Sequence, residues 1–367
     1  MKFTVLREHF QKVINASQRI VSKNPTLPIL EGILIETENK RIKISATNLE
    51  IGVYYWVKGR VDKEGSASIP AAALGSLTNT LRDERITIEG KKNDVELSTQ
   101  TFTALVKGYD YNDFPIIPSL KEGITFEIPA KEIVSALSRL ENSATISETY
   151  PEISGIFWTF PQKNTLELVA TDSFRLGKIL LSLPFPEKIT GKGFIVPLRS
   201  AQELLRIASD YESGNVRVSF NQNQVVFLFD EVYCISRLLS GSYPNYHDLI
   251  PKDFVLDVTV AKEELITGIK LVSVFSPKTS DIKLDILGNA LKLSAQTQGG
   301  SSEAQVKGRV EGSGVSGAMF NYRYLLDGLA NIREKEIVLH FKHDSAPVLF
   351  QGVGDNAYCY VLMPLKS

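Results

Sequence analysis

The chain of 367 residues repeats itself at about a third of its length. Ala46-Thr47-Asn48, Ala170-Thr171-Asp172 and Ala295-Gln296-Thr297 each close an alternating apolar run, and the three alanines stand 124 and 125 residues apart. A period this long means tandem domains and not a solenoid. Each third reads as an amphipathic helix, a strand pair, the Ala-Thr/Gln word, further strands, a second helix and closing strands. The second helices are expected over residues 70–81, 197–208 and 322–332. Each is followed by period-two alternation, as in Ile86-Thr87-Ile88-Glu89, Val216-Arg217-Val218-Ser219 and Ile337-Val338-Leu339-His340. Segments 115–123 and 243–252 carry the Pro and Asp of linkers. They divide the chain into domains 1–122, 123–251 and 252–367. The expected fold class is α+β, three copies of a domain in which two helices pack on antiparallel sheets.

Hydrophobic residues make up 43% of the chain and charged residues 23%, an ordinary globular balance. No run approaches the ~20 apolar residues of a membrane span. Met1-Lys2-Phe3-Thr4-Val5 becomes charged too soon for a signal peptide, so a cytoplasmic location is expected, with no membrane partner. Cys234 and Cys359 stand 125 residues apart, which places them on equivalent strands of domains two and three. Equivalent positions of tandem domains lie beyond the ~7 Å reach of a disulfide, so both are expected as reduced core thiols.

A net charge of −1 gives no overall attraction for nucleic acid, so the distribution decides. In the first helix Phe10, Val13, Ile14, Ile20 and Val21 share one side, while Lys12, Arg19 and Lys23 form a stripe opposite. The helix from Pro197 turns Leu204, Leu205 and Ala208 inward and Arg199, Gln202 and Arg206 outward. The helix from Lys131 places Ser135, Arg139 and Asn142 on its polar side. Glu263, Thr267 and Lys270 mark the next helix, and Arg323 is mixed with Asp327 and Glu334 in the last. The expected lining is thus modestly positive and interrupted, with Lys12, Arg19, Lys23, Arg139, Arg199 and Arg206 as its cations. It suits loose, sequence-independent contact with phosphates.

Catalytic signatures are scarce. Of the four histidines, His340 and His343 have i, i+3 spacing but no companion Cys or carboxylate cluster, so no metal is expected. Thr171-Asp172-Ser173 lacks a nucleophile elbow around it. Gly312-Ser313-Gly314-Val315-Ser316-Gly317 spells the dinucleotide fingerprint, yet Ala318-Met319-Phe320 continues as strand where the fingerprint requires a helix. It reads as a hairpin loop. No Walker loop is present and no cofactor is expected. An enzyme built around Asp172 and Arg175 at a domain junction, and a three-domain adhesion scaffold, are the competing classes.

Thr26-Leu27-Pro28-Ile29-Leu30-Glu31-Gly32, followed by Ser45-Ala46-Thr47-Asn48-Leu49-Glu50, resembles the first domain of the bacterial DNA polymerase III beta subunit family, the sliding clamps. Ala170-Thr171-Asp172-Ser173-Phe174-Arg175-Leu176 resembles that family's central Ala-Thr-Asp-Gly-His-Arg-Leu motif. Tyr360-Val361-Leu362-Met363-Pro364-Leu365 resembles its Val-Met-Pro-Met-Arg-Leu terminus. The resemblance runs the length of the chain. It implies a non-catalytic processivity factor: a head-to-tail homodimer of six domains, closed as a ring around double-stranded DNA, with helices lining the hole.

The resemblance further implies a hydrophobic cleft for short linear motifs of the polymerase III catalytic subunit, the clamp loader and repair polymerases. Its matching positions are Ile153, Thr171, Ser173, Phe174, Arg175, Leu176, Pro244, Leu249, Val348, Val361, Met363, Pro364 and Leu365. Met and Leu offer an adaptable apolar wall for leucine and phenylalanine anchors. Ala104 and Val106 of the first domain, against Val274 and Phe275 of the third, are the implied dimer contacts. Ser173 and Phe174 depart from the family's Gly and His, and Leu365 from its second Met. Phe174 should make the cleft narrower and more apolar.

Overall fold

The computed structural model describes residues 1–21, 27–211 and 213–365. Six helices are present among them: α1 Arg7–Ile20, α2 Ala71–Thr80, α3 Ala130–Leu140, α4 Leu198–Ser209, α5 Lys262–Ser273 and α6 Tyr322–Ala330. Two per third of the chain is the spacing read from the sequence. The described chain forms two compact units, one of Met1–Lys131 with Arg206–Leu238 and the other of Glu132–Leu205 with Leu239 onward.

The first unit holds two sheets. Five strands run in the order Gly59–Lys63, Lys2–Leu6, Arg85–Lys91, Asp94–Ser98 and Thr103–Val106. The other sheet has eight strands and crosses from one repeat to the next, because Val232–Arg237 pairs antiparallel with Ile51–Val57. Over these lies α1, burying Phe10, Ile14, Ser17 and Ile20. Phe10 meets Phe3 edge-on, with ring centroids 6.2 Å apart. The outer side of α1 bonds to α2 through Gln11 and Asn15, whose amides both donate to Asn79 Oδ1 at 2.7 and 3.0 Å.

A twelve-stranded sheet forms the second unit and joins the second and third repeats in the same manner, through Arg175–Ser182 paired antiparallel with Tyr358–Leu362. Each join removes an exposed edge from both partners. Comparing the joins also fixes the internal register. Val53 lies opposite Ala46 and Gly177 opposite Ala170, while Cys234 pairs with Val53 and Tyr360 with Gly177. Cys234 therefore corresponds to Tyr360, and Cys359 to Tyr233, one residue away from the equivalence expected from spacing. Both cysteines are buried and free.

Strands run directly into helices, and the orphan N–H groups at the helix starts are satisfied from neighbouring loops. The first N–H of α1, α3, α4, α5 and α6 donates to Glu84 O, Gly214 O, Ser154 O, Lys335 O and Ser280 O, at 2.8 to 3.0 Å. α6 also has a side-chain cap, Asn321 Oδ1 accepting from Arg323 N, whereas α1 and α5 have none. The Gly312–Gly317 segment leads into the strand Gly317–Asn321, which pairs with Asp281–Leu287 and then enters α6. It is a crossover between sheet positions and not the hairpin expected, since the strand before it, Gly300–Gly312, pairs elsewhere.

Candidate functional site

The recurring Ala-Thr word is a turn built from side chains. Thr171 Oγ1 donates to Arg175 O at 2.7 Å and accepts from Ser173 N at 3.3 Å. Asp172 Oδ1 accepts from both Phe174 N and Arg175 N at 3.0 Å. The first repeat has the same pattern, Thr47 Oγ1 donating to Ile51 O and Asn48 Oδ1 accepting from Glu50 N and Ile51 N. Asx and Thr side chains that bond their own backbone in this way fix tight turns. In the third repeat Thr297 takes the threonine role, donating to Gly300 O and accepting from Gly299 N, so the word is shifted by one residue there. Asp172 is committed to this turn and to Arg175, so it is not half of an acid-base pair.

At Ser173 the turn needs φ of +75°, and at Leu49 +74°. This left-handed conformation favours glycine, which explains the family's Gly at the first of these positions. The turn turns Phe174 outward, 56% exposed, and Arg175 inward. Arg175 donates to Asp172 Oδ2 at 2.9 Å and to Asp327 Oδ2 at 2.5 Å, and its guanidinium lies 4.2 Å from the Tyr324 ring centroid. Burial opposes its charge, but Tyr360, Asp327 and Asp172 outweigh that and hold its pKa above the usual arginine value. It pins the turn to α6.

Beside the turn, Leu176 pairs with Val361, and Val361 with Leu349. These three, with Val169, Tyr246 and Cys359, form a buried cluster on one sheet face, flanked by Phe157, Tyr243, Ile250 and Phe254. Tyr246 is fixed by its hydroxyl donating to Glu167 Oε2 at 2.6 Å, and Tyr243 by stacking on Phe157 at 4.8 Å. Phe174, Leu249 and Met363 are each at least 40% exposed, and Pro244 is exposed, in segments that adjoin the cluster residues Leu176, Tyr246 and Val361 in sequence. The C-terminal tail is strapped across the site: Met363 N donates to Phe174 O at 2.9 Å and Leu365 N to Met319 O at 2.7 Å, which leaves Pro364 and Leu365 half-buried. Val348 is brought near but not onto this face. It pairs with Leu362, one residue out of phase with the Leu349–Val361 pair, so its side chain points to the opposite side of the sheet. Ile153 is buried in a short 3-10 turn and lies outside the cluster.

Among the expected DNA-facing cations, Lys12 and Arg19 are exposed on α1 and Arg199 and Arg206 on α4. Lys12 Nζ forms an ion pair with Asp210 at 2.9 Å. Lys23 lies outside the described residues. Arg139 requires a correction. It is 7% exposed, its Nε donates to Asn331 O at 2.8 Å, its Nη2 to Asp355 Oδ2 at 3.2 Å, and it lies 4.0 Å from the centroid of the Tyr358 ring. Its helical position was read as polar surface, but a long-range partner set consumes all of its charge.

At the expected dimer contacts, Thr103–Val106 is the last strand of the five-stranded sheet and so has one unpaired edge. Ala104 and Val106 face inward, opposite Leu97 and Val95, whereas Leu105 is 54% exposed. In the third repeat Val274 is 74% exposed and Leu271, one helical turn before it, 62%. Phe275 packs on Gly300, where an added Cβ would meet its ring at 2.6 Å. Leu105 and Leu271 were missed by the sequence reading. Their signal was there, an apolar residue on the outer side of an alternating strand and an i, i+3 pair on a polar helix face.

His340 Nδ1 lies 2.7 Å from Asp257 and His343 Nδ1 3.1 Å from Ser345, and the described residues contain no cluster of three potential metal ligands. No described helix is long and apolar enough to cross a membrane.

Residues 1–118, 127–245 and 247–366 match, in order, the N-terminal, central and C-terminal domains of the DNA polymerase III beta subunit. The chain belongs to the DNA polymerase III beta subunit family. The beta sliding clamp of Synechocystis sp. is 28% identical to it over all of this chain and 99% of its own length. That of Staphylococcus aureus is 27% identical over the whole of both. A DnaN sliding clamp from Bartonella birtlesii, solved bound to griselimycin, superposes over the whole of both chains with a TM-score of 0.95 and 26% identity. The beta subunit of Thermotoga maritima shares the fold, with a TM-score of 0.93 at 24% identity. The chain is accordingly built of three tandem clamp domains and is a non-catalytic processivity factor of DNA replication.

Proposed function

We propose that two copies of this chain close head to tail into a cytoplasmic ring around duplex DNA, with domains 1–122, 123–251 and 252–367 contributing six similar modules. The free edge of Thr103–Val106 supports this closure, because Gly300–Gly312 also has an unpaired edge along its first half, which pairs only with Ala290–Thr297. Joining two such edges across a dimer extends both sheets. Leu105, Leu271 and Val274 supply apolar cover next to the expected Ala104, Val106 and Phe275. Lys12, Arg19, Arg199 and Arg206 then meet phosphates loosely, as sliding requires.

The partner cleft is the apolar rim of Phe174, Leu249, Met363 and Pro244 over Leu176 and Val361, with Thr171, Ser173, Pro364 and Leu365 shaping its walls and Arg175 holding the turn that carries Phe174. One observation carries this reading: two large apolar side chains, Phe174 and Met363, are held exposed side by side by a turn and a strapped tail joined through the Met363 N–Phe174 O bond, where no folding requirement exposes them. The ligands are short linear motifs with leucine and phenylalanine anchors, borne by the replicative polymerase, the clamp loader and repair polymerases. The griselimycin-bound relative supports a ligand site on this fold. Calorimetric titration with a synthetic peptide carrying a Leu-Phe pair tests it. One peptide per chain is expected, with at least tenfold weaker binding for Met363→Asp. Equal binding by the variant would contradict the assignment.

A further inference from the structure

The chain contains two joins between repeats, and they serve as a template for a third. In the first strand of each join, Val53 lies opposite Ala46 and Gly177 opposite Ala170. The same pairing in the third repeat sets Ser302 opposite Ala295, so Ser302 is the counterpart of Val53 and Gly177. The second strand of a join can be indexed from the far side of its sheet. Phe3, Phe126 and Val258 stand four residues before the first helix of their repeats, and three successive strand pairings lead from them to Ala104, Cys234 and Tyr360. Ala104 is therefore the counterpart of Cys234 and Tyr360. Cys234 pairs with Val53 and Tyr360 with Gly177, whereas Ala104 and Ser302 lie on strand edges that pair no further within the chain.

Two observations that played no part in this indexing agree with it. The first is the phase of the strands: Ala104 faces the core beside buried Leu97, and Ser302 faces inward too, its Oγ donating to Val272 O of α5 at 3.1 Å. Residues directly opposite in an antiparallel pair share a face, and a slip of one residue would set an inward side chain against an outward one. The second is a pair of exposed apolar side chains. At the second join Arg139, the tenth residue of α3, lies on the ring of Tyr358, two residues before Tyr360, with 4.0 Å to the centroid. Their counterparts at the first join, Ala16 of α1 and Val232, border one cavity. The third set is Leu271, the tenth residue of α5, and Phe102, two residues before Ala104. Tyr358 and Val232 are buried and Arg139 nearly so, but Leu271 and Phe102 are 62% and 39% exposed.

We propose that a second copy of this chain sets its Thr103–Val106 strand antiparallel to residues 300–306 in one register, Ala104 opposite Ser302, Thr103 opposite Glu303 and Leu105 opposite Ser301, and that Phe102 closes on Leu271 across the seam. This rests on the head-to-tail closure proposed above and adds to it the register and the fastening. The second internal join is fastened by a buried cation, and parting it would strand Asp355, which is 14% exposed. At the same place the seam between copies is fastened by two apolar side chains, so it parts there without leaving a buried charge unpaired.

The test uses the full-length protein in three double-cysteine forms, Thr103→Cys, Leu105→Cys or Thr101→Cys, each combined with Glu303→Cys. The native Cys234 and Cys359 are buried and do not compete. Under diamide, the Thr103 form should give a covalent dimer on a non-reducing gel in at least tenfold the yield of the other two. Residues directly opposite fall within disulfide reach, while those two positions along the strand lie about 7–8 Å off. Preferential crosslinking of either other form, or of none, in a protein that sediments as a dimer would overturn the register and leave the ring reading standing. A protein that sediments as a monomer would overturn the ring reading, and the register with it. Leu271→Asp should weaken the dimer at least tenfold in sedimentation, and adding Phe102→Lys should recover at least threefold, since the new charges then face each other. Wild-type dimer affinity for Leu271→Asp, or no recovery in the double variant, would overturn the Phe102–Leu271 contact.

Discussion

Replacing Arg139 with alanine should destabilise the second unit and leave the grip on DNA unchanged. The guanidinium is 7% exposed and donates to Asn331 O at 2.8 Å and Asp355 Oδ2 at 3.2 Å, and Asp355 itself is only 14% exposed. Its removal strands a nearly buried carboxylate and a backbone carbonyl and uncovers the Tyr358 face. Breaking a buried pair from one side costs about 3–5 kcal/mol. The Asp355→Asn change in the same background should return part of that, since the stranded charge is then gone. Urea unfolding followed by circular dichroism reads the loss, and salt titration of retention on DNA reads the phosphate contact. A phosphate-binding residue lowers the salt slope by about one when removed. Arg199, exposed on α4, should show the reverse: stability within about 0.5 kcal/mol of wild type and weaker retention at rising salt. An Arg139→Ala protein that unfolds at the wild-type urea concentration while its salt slope falls would refute the burial argument.

Ser173→Gly should stabilise the protein by about 1 kcal/mol, because glycine adopts the φ of +75° without the penalty an L side chain incurs, and a thermal melt reads the gain. Phe174→His should change the affinity of a Leu-Phe peptide, since Phe174 is 56% exposed on the rim and lies near Tyr324, with centroids 6.4 Å apart. Equal affinity of the two proteins in a titration would show that Phe174 does not set peptide preference. Burial raises the pKa of Tyr246, Tyr358 and Tyr360 above the ordinary phenol value of ~10. Their neutral forms are favoured in the folded state, so this contribution is complete below pH ~10 and is lost as pH rises through the folded values. Stability should fall by about 1.4 kcal/mol per pH unit for each such tyrosine above pH ~10. A flat urea midpoint between pH 10 and 11.5 would contradict that.

The threefold repeat was legible because period-two and period-3.6 patterns recur whole in each third, and the second helix of each third lies within a residue or two of its expected range, whereas α1 ends at Ile20, short of the Val21 read onto its apolar face. Helix starts were harder to place. Arg7, Ala130 and Lys262 begin helices without a Ser, Asp or Asn before them, because a carbonyl from a distant loop takes the first N–H. The joins between repeats were not readable either. That Val232–Arg237 pairs with Ile51–Val57 follows from three-dimensional proximity and leaves no local mark. The same applies to Arg139, whose place on the polar side of α3 is indistinguishable in sequence from a solvated arginine until Asp355 and Tyr358 are brought to it. The turn at Thr171 was visible as a repeated word, but its job was not. Thr and Asp there look like candidate chemistry, and only the hydrogen bonds to their own backbone reveal a structural motif. The rim residues of the cleft came from family resemblance, and the residues that hold them, Asp327, Tyr324 and Tyr246, came from the fold.

Retention on DNA of defined topology bears most directly on the ring. The protein is loaded by a clamp loader onto nicked circular DNA at moderate salt, freed of unbound material, and the DNA is then cut once. Encirclement predicts that protein stays on the circle and is lost from the linear form, because loose phosphate contacts alone do not hold it. Equal loss from both forms, or equal persistence on both, would contradict a topological link and with it the closed dimer.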